Sequence, residues 1–245
     1  IEPFLIFNSY HFPTYPYPHF LYQILLAANL IYPDHSPNLD AIRDFLAEPR
    51  NQALTRMVQS WLQSESINEL KQLPDVICLG DWQNDPLATR HFLIRQLLSA
   101  DGQKWFSIDE FIRYIYQTEP DFQRPSSNYD VWLIQDRSSG RELRGFESWP
   151  NVEGRLLRAM ITGPLFWLGI VNLGQNKNHY TVAFKRTPWS ESLLNGNIPL
   201  EVFRSENENI KIQSNGRIIV PIYCPRNVRY HIARSCSWES YRKGQ

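Results

Sequence analysis

Carboxylate, thiol and imidazole side chains are the groups in this sequence that could catalyse a reaction or bind a metal. A metal-dependent nuclease needs clustered carboxylates, often beside a lysine on a strand. The only Glu-x-Lys in the sequence is Glu69-Leu70-Lys71. The apolar spacing over 67–73 predicts a short amphipathic helix there, so we expect this motif to lie on a solvated helix face.

A zinc site is the second chemical possibility. Cys224, His231 and Cys236 follow one another by seven and five residues (224 to 231 to 236). These spacings fit no common zinc site, and a fourth ligand is missing. We therefore expect ordinary buried thiols and no metal.

Other catalytic motifs are absent from the sequence. It has no Gly-rich loop followed by Lys-Ser/Thr, and no Gly-x-Ser-x-Gly, His-Glu-x-x-His or Cys-x-x-Cys. Glu153 stands on an otherwise apolar helix face, where we expect arginine or backbone amides to bond it in a structural role. We predict that the chain is not an enzyme, uses no cofactor and has no small-molecule substrate.

Binding is the remaining function. The cations available for phosphate contact are Arg155, Arg158, Lys177, Lys185 and Arg186, with His179 in the same region. Such contacts position nucleic acid without reading bases. The alternative is that they are surface cations balancing nearby glutamates. Three aromatic residues, Trp149, Phe166 and Trp167, have the side chains to stack on bases, but their helical spacing favours the core.

The elements that position these cations follow from residues 149–186. Five apolar residues at helical spacing predict one helix: Val152, Leu156, Leu157, Met160 and Ile161. Thr162-Gly163-Pro164 interrupts it, and a short apolar helix (164–168), a strand (170–173), a polar loop (175–179) and a second strand (180–185) follow. This order is typical of a winged helix-turn-helix with the loop as its wing. In this reading, residues 164–168 are the recognition helix, which carries no polar side chain for base readout.

A family resemblance rests on four strings of the sequence. They are WPNVEGRLLRAMITGPLFWLGIVNLG at 149–174, WFSIDEFIRYI at 105–115, FQRP at 122–125 and IKIQSNGRIIVP at 210–221. Together they resemble the winged-helix, helicase-associated region of large bacterial proteins similar to the N-terminal domain of XPB-type DNA helicases. Weaker similarity extends back to about residue 54. The resemblance implies a noncatalytic DNA-associated module of helicase- or defence-type machinery. The alternative is a protein-interaction scaffold without nucleic-acid binding.

The rest of the chain is predicted to be mainly helical. Helices are expected over 20–31, 40–47, 51–62, 86–98, 108–115, 188–194 and 227–238. Residues 11–20 predict an extended aromatic arm packed on the domain, and Ser107 to Glu110 fits a capping box. An insertion, 122–149, contains a predicted strand (131–135) and turn (136–140), and the Asn215-Gly216 pair predicts a later hairpin.

These elements make a mainly α protein with small β elements. We predict a helical N-terminal domain (1–104), a winged-helix domain (105–200) and the opening of a β-containing module (201–245). IEPFLIF at the start of the chain has the character of a cut end, not of a signal peptide.

Composition limits the partners. The sequence has 25 Lys+Arg and 25 Asp+Glu, but the balance is −6 over 1–112, +1 over 113–203 and +5 over 204–245. A neutral chain argues against general nucleic-acid binding and favours a protein partner. Only the C-terminal part retains the option of nonspecific nucleic-acid binding. No apolar run approaches the roughly 18 residues that span a bilayer. Three cysteines fit a reducing cytoplasm.

Overall fold

The computed structural model describes residues 5–6, 17–124, 127–178, 180–200 and 205–237. These residues form a mainly α structure with small antiparallel sheets. The helices are α1 (Tyr17–Ala27), α2 (Leu39–Ala47), α3 (Arg50–Gln63), α4 (Pro86–Ser99), α5 (Ile108–Thr118), α6 (Glu153–Thr162), α7 (Pro164–Trp167), α8 (Ser190–Leu194) and α9 (Arg226–Ser235). The strands are β1 (Leu5–Ile6), β2 (Val76–Leu79), β3 (Phe106–Ser107), β4 (Leu133–Asp136), β5 (Val171–Gln175), β6 (Thr181–Arg186), β7 (Lys211–Ile212) and β8 (Ile218–Ile219).

Local sequence signals explain where several helices begin. The side chains of Asn38 and Asp85 cap α2 and α4 by accepting from backbone amides of the first turn. Ser107 caps α5 in the same way, through the amide of Glu110. Pro86 follows its cap at the first helical position, where its missing amide costs nothing. The predicted helices in these regions are therefore confirmed to within a few residues.

Two predictions for the N-terminal part are wrong. Residues 67–73 form turns instead of a helix, and the unpredicted strand β2 follows them. Of the predicted extended arm, residues 17–20 begin α1. Residues 11–16 of that arm lie outside the described residues.

The larger sheet has the strand order β1-β5-β6-β3. All its neighbours are antiparallel, and β5 and β6 are joined by the turn at 176–180. Phe184 on β6 contacts the rings of Phe106 on β3 and Phe111 on α5, with centroids 5.9 and 5.2 Å away. These contacts place α5 against one face of the sheet.

The insertion between α5 and α6 is tied to the N-terminal part of the chain. Its strand β4 pairs with β2, so that Ile134 lies opposite Cys78. The turn after β4 is closed by the amide of Asp136, which donates to the carbonyl of Arg141 at 2.9 Å. A 3-10 helix, Phe146–Asn151, then leads into α6.

One buried core runs through most of the described chain. Its members extend from Phe20 on α1 to Leu194 on α8 and include residues of α3, α4, α5, α6 and β5. On α3, Gln59 donates from Nε2 to the carbonyl of Leu193 on α8 at 2.8 Å. The core therefore includes residues from both sides of position 104.

The C-terminal residues form a smaller layer. The hairpin β7–β8 turns at Gly216, which has φ +81°, and α9 packs against α2. Arg226 at the start of α9 donates to the carbonyls of Phe45 (2.9 Å) and Glu48 at the end of α2. Glu206 bonds both Arg226 and Arg50, which joins this layer to α3.

Candidate nucleic-acid interface

Helix α6 carries two of the predicted phosphate-binding cations. Its inner face is buried through Leu156, Leu157, Met160 and Ile161. Arg155 and Arg158 lie off that face, with 33% and 40% of their side chains exposed. The helix therefore brings these two arginines onto one partly exposed surface.

Both arginines are already paired with carboxylates of the same chain. Arg155 Nη1 lies 3.3 Å from Asp136 Oδ2 in the turn of the insertion. Arg158 Nη2 forms an ion pair with Asp109 Oδ1 in the first turn of α5. Neither acid was singled out by the sequence, although Asp136 precedes a Ser-Ser-Gly turn and Asp109 lies inside the capping box.

Asp136 is a rigidly held partner. Its Oδ1 accepts from the hydroxyls of Ser138 (2.6 Å) and Ser139 (2.9 Å) and from both of their amides (3.1 and 3.0 Å). The hydrogen bond from the Ser138 hydroxyl is the largest cause that holds the pKa of Asp136 far below its usual value, with Arg155 a smaller one. The carboxylate thus stays charged at neutral pH and neutralises Arg155.

Lys177 lies exposed in the turn between β5 and β6. Asn176 shapes this turn, because its Oδ1 accepts from the amides of Asn178 (3.0 Å) and Tyr180 (3.1 Å). The Tyr180 side chain is also exposed. His179 lies outside the described residues. The turn therefore presents a cation and an aromatic ring together.

Lys185 and Arg186 are consecutive on β6, so their side chains leave opposite faces of the sheet. Lys185 lies opposite Asn172 in the register. Arg186 Nη2 donates to the carbonyl of Ala100 at 3.3 Å, and a Cβ built on Gly102 would lie 2.5 Å from that nitrogen. Arg186 thus packs on the loop after α4, and the structure does not place it on one surface with Lys185.

The short helix α7 contributes to the core. Pro164 and Leu165 are buried, and the Trp167 ring, partly buried, contacts Phe20 on α1 with centroids 5.2 Å apart. Trp167 therefore packs against the core, as its spacing favoured, although its side chain is only partly buried. Trp149 is buried and donates from Nε1 to the carbonyl of Pro120 at 2.9 Å, which excludes it as a base-stacking platform in this conformation.

Glu153, the first residue of α6, is fully buried and bonded to arginine, as expected. Arg124 Nε donates to its Oε1 at 2.5 Å, and Gln123 Nε2 donates to the same oxygen at 3.2 Å. Burial raises the pKa of Glu153, and the positive charge of Arg124 opposes that rise. Both partners lie in the FQRP string, the one signal in the sequence that marked them.

Arg124 ends a stack of rings and cations that reaches the surface. Its guanidinium carbon lies 4.2 Å from the centroid of the Trp132 ring, which stacks on Trp82 at 4.9 Å. Lys71 Nζ lies 4.9 Å from the Trp82 ring. The stack therefore joins the loops before α4, the insertion and the start of α6.

The expectation for Glu69 is wrong. Instead of a solvated helix face it occupies the core, where Arg90 Nε (2.8 Å) and Trp61 Nε1 (2.7 Å) both donate to its Oε1. The pairing partner lies 21 residues away on α4. Glu69 is thus a structural acid.

Metal-ligand geometry is missing from the part of the chain that the structure describes. No group of three or more His, Cys, Asp or Glu residues there has the proximity to hold a metal ion. Cys224 is buried, as expected, but the expectation is wrong for Cys236, which is exposed just after the end of α9. His231 is also exposed. In the same described ranges, no helix has the length and apolar character to cross a membrane.

Similarity to other proteins adds nothing to these geometric observations. Comparison of the chain with protein-family models, with curated proteins and with solved structures finds no match.

Proposed function

We propose that this chain is a noncatalytic winged-helix module that contacts the DNA backbone without sequence readout, within helicase- or defence-type machinery. The order α4–β3–α5–α6–α7–β5–β6, with β4 and a 3-10 helix between α5 and α6, supports this proposal. The pairing of β6 with both β3 and β5 also supports it, because a winged helix joins its three strands in this way. The segment between α5 and α6, which contains the predicted insertion (122–149), then takes the place of a short turn.

In this arrangement α6, and not α7, has the position of the recognition helix. The observation that carries the proposal is its pair of arginines, Arg155 and Arg158, on the partly exposed face. The helix sequence, EGRLLRAMIT, has no Asn or Gln, and Thr162 Oγ1 is bonded to the carbonyl of Arg158. Because an arginine can bond a guanine edge as well as a phosphate, the comparison of unrelated sequences described below separates backbone contact from base readout.

The ion pairs define how DNA would bind. A carboxylate and a phosphate offer an arginine the same kind of charged acceptor, so Asp136 and Asp109 occupy the places that phosphates would take. Each DNA contact on α6 therefore competes with one of these acids for the same guanidinium group. We expect weak binding that falls steeply with added salt.

The alternative, a protein-interaction scaffold with the same fold, has its own support. Residues 105–200 contain ten Lys and Arg and ten Asp and Glu, a balance of zero. Both α6 arginines are neutralised within the chain. A surface of this kind gives DNA little long-range attraction.

A salt series of fluorescent-duplex binding, repeated on unrelated sequences, separates the two. For the DNA module, Arg158→Ala or Lys177→Ala should weaken binding about equally on every sequence and lower the salt slope by about one. Asp136→Asn should tighten binding, because it removes the competing charge while its remaining oxygen still accepts from Ser138 and Ser139. Arg43→Ala is the matched control, since Arg43 also pairs with an acid at the surface of a helix.

Two results would contradict the DNA proposal. One is the absence of measurable affinity for duplex at low salt, which would leave the scaffold. The other is binding that Asp136→Asn and Arg158→Ala leave unchanged, which would place any DNA elsewhere on the chain.

A further inference from the structure

The hairpin β7–β8 exposes apolar side chains that a folded protein normally covers. Lys211 lies opposite Ile219 and Ile212 opposite Ile218, so Ile212 and Ile218 share one face. Ile212 is 71% exposed, and Ile218 beside it is partly buried. A two-stranded hairpin alone is marginally stable in water, and a third strand or a packed cover stabilises it.

The free edge of β7 has the hydrogen-bonding pattern that a third strand requires. The amide of Gln213 donates to the carbonyl of Arg217 across the turn at 2.8 Å. In an antiparallel pair the bonded positions alternate, which makes Lys211 and Ile219 the next bonded pair. The backbone N–H and C=O of Ile212 therefore point away from β8, towards the open edge.

Charge selects the kind of strand. The described residues 205–237 contain Lys211, Arg217, Arg226, Arg229 and Arg234 against Glu206 and Glu208, a balance of +3 (five minus two). The arginines of this segment have partners within the chain: Arg226 bonds Glu206 and α2, and Arg229 bonds the carbonyls of Ile222 and Cys224. Arg234 lies over the ring of Tyr230. Lys211 remains exposed on the edge strand itself. A second copy of this cationic hairpin would be repelled, whereas an acidic strand would be attracted.

We propose that the open edge of β7 binds an extended acidic segment of a partner protein, which adds as a third strand antiparallel or parallel to β7. Its main chain bonds the outward groups of Ile212, its apolar side chains cover Ile212 and Ile218, and its carboxylates meet Lys211. Nucleic acid would match the cations, but it would leave the isoleucines and the open backbone edge unmatched. This interaction surface is separate from α6 and does not depend on the DNA proposal.

The test uses the full chain, labelled with ¹⁵N, and a synthetic peptide of alternating Val and Glu of about six residues, an ordinary strand length. We expect the amides of Ile210 and Ile212 to shift on titration. A peptide N-methylated on the amides that face the hairpin should bind at least about tenfold more weakly, because main-chain bonds supply affinity in this mode.

Substitutions on the hairpin sharpen the test. Lys211→Glu should reverse the charge preference, so that a Val-Lys peptide binds better than the Val-Glu peptide. Ile212→Thr should weaken Val-Glu binding and leave the thermal midpoint unchanged, since the side chain is already exposed. Leu200→Thr is the matched control, because Leu200 is 88% exposed and lies outside the hairpin.

Three results would overturn the proposal. The first is the absence of hairpin amide shifts in the presence of excess Val-Glu peptide. The second is that the N-methylated peptide binds as tightly as the unmodified one. The third is that Lys211→Glu still prefers the Val-Glu peptide to the Val-Lys peptide. Shifts of the same amides by single-stranded or duplex DNA, with none from the peptide, would assign the hairpin to nucleic acid instead.

Discussion

Arg90 makes the most complete set of contacts in the core, and its replacement tests how the helices before α5 are held together. Nε and Nη2 donate to the two oxygens of Glu69 at 2.8 and 3.1 Å. The other bonds go to the carbonyls of Trp61 (2.9 Å), Ser64 (2.5 Å) and Ile67. Arg90 therefore satisfies the carbonyls at the end of α3 as well as a buried acid.

The expected cost of Arg90→Met follows from this geometry. Both members of the ion pair have essentially no exposure, at 0% and 1%. Removing one partner of such a pair typically costs about 3–5 kcal/mol, because the other charge stays buried and unpaired. The free energy of unfolding of a domain is about 5–15 kcal/mol, so this loss is a large fraction of it.

Urea denaturation supplies the measurement, and the same helix supplies the control. Arg95 on α4 pairs with Glu119, but both side chains are largely exposed (64% and 45%). Arg95→Met should therefore cost no more than about 1 kcal/mol. The double variant Arg90→Met/Glu69→Leu should recover part of the lost free energy of unfolding, since it also removes the buried carboxylate that Arg90→Met leaves unpaired. If Arg90→Met costs as little as Arg95→Met, the pair does not hold α3, α4 and the 64–70 turn together, and our account of Glu69 fails.

Two further predictions concern the start of α6 and the attachment of α9. Burial raises the pKa of Glu153 above its ordinary value of 4.5, so the folded state holds this proton more tightly than the unfolded chain does. The free energy of unfolding should therefore fall as the pH rises from 4.5 through the raised pKa. Glu153→Gln should flatten this part of the urea-midpoint profile, and an unchanged slope would refute the assignment. Arg226→Ala should speed amide exchange in α9 at an unchanged global midpoint, whereas Arg234→Ala, at an exposed position of the same helix, should not. Equal exchange in both variants would show that Arg226 does not anchor α9.

Much of the helical structure could be predicted because its signals are local. Apolar spacing and capping residues lie within one or two turns of the helix that they define, as Asn38 and Asp85 do. The interpretation of residues 67–73 failed for the opposite reason. Their i, i+3 spacing suits a helix, but Arg90 takes the carbonyl of Ile67 and draws Glu69 into the core. A local window does not contain that partner.

Strand β2 was not predicted for the same reason, because its partner is distant in the sequence. Val76-Ile77-Cys78-Leu79 is too short to alternate clearly, and it is a strand because β4 pairs with it from more than fifty positions along the chain (76 to 136). The hairpin β7–β8 was predicted because its partner strands are joined directly by Asn215-Gly216. A strand could be predicted when its partner was close in the sequence, as in β7–β8, and was missed when its partner was distant, as for β2. The composition of the strands mattered less.

The charges of the candidate site could not be fully predicted either, because the partners of its cations are distant in the sequence. Arg155 and Arg158 were identified as cations from sequence, but their availability depends on Asp136 and Asp109, which are 19 and 49 positions away. A net charge of zero is compatible with separate acidic and basic surfaces or with pairs that cancel locally. On α6 each arginine charge is neutralised by a nearby aspartate, so each arginine can bond either that carboxylate or an external acceptor. For this reason we expect the acids, as much as the arginines, to set the strength of any DNA contact: a substitution that removes Asp136 should act in the direction opposite to one that removes Arg158.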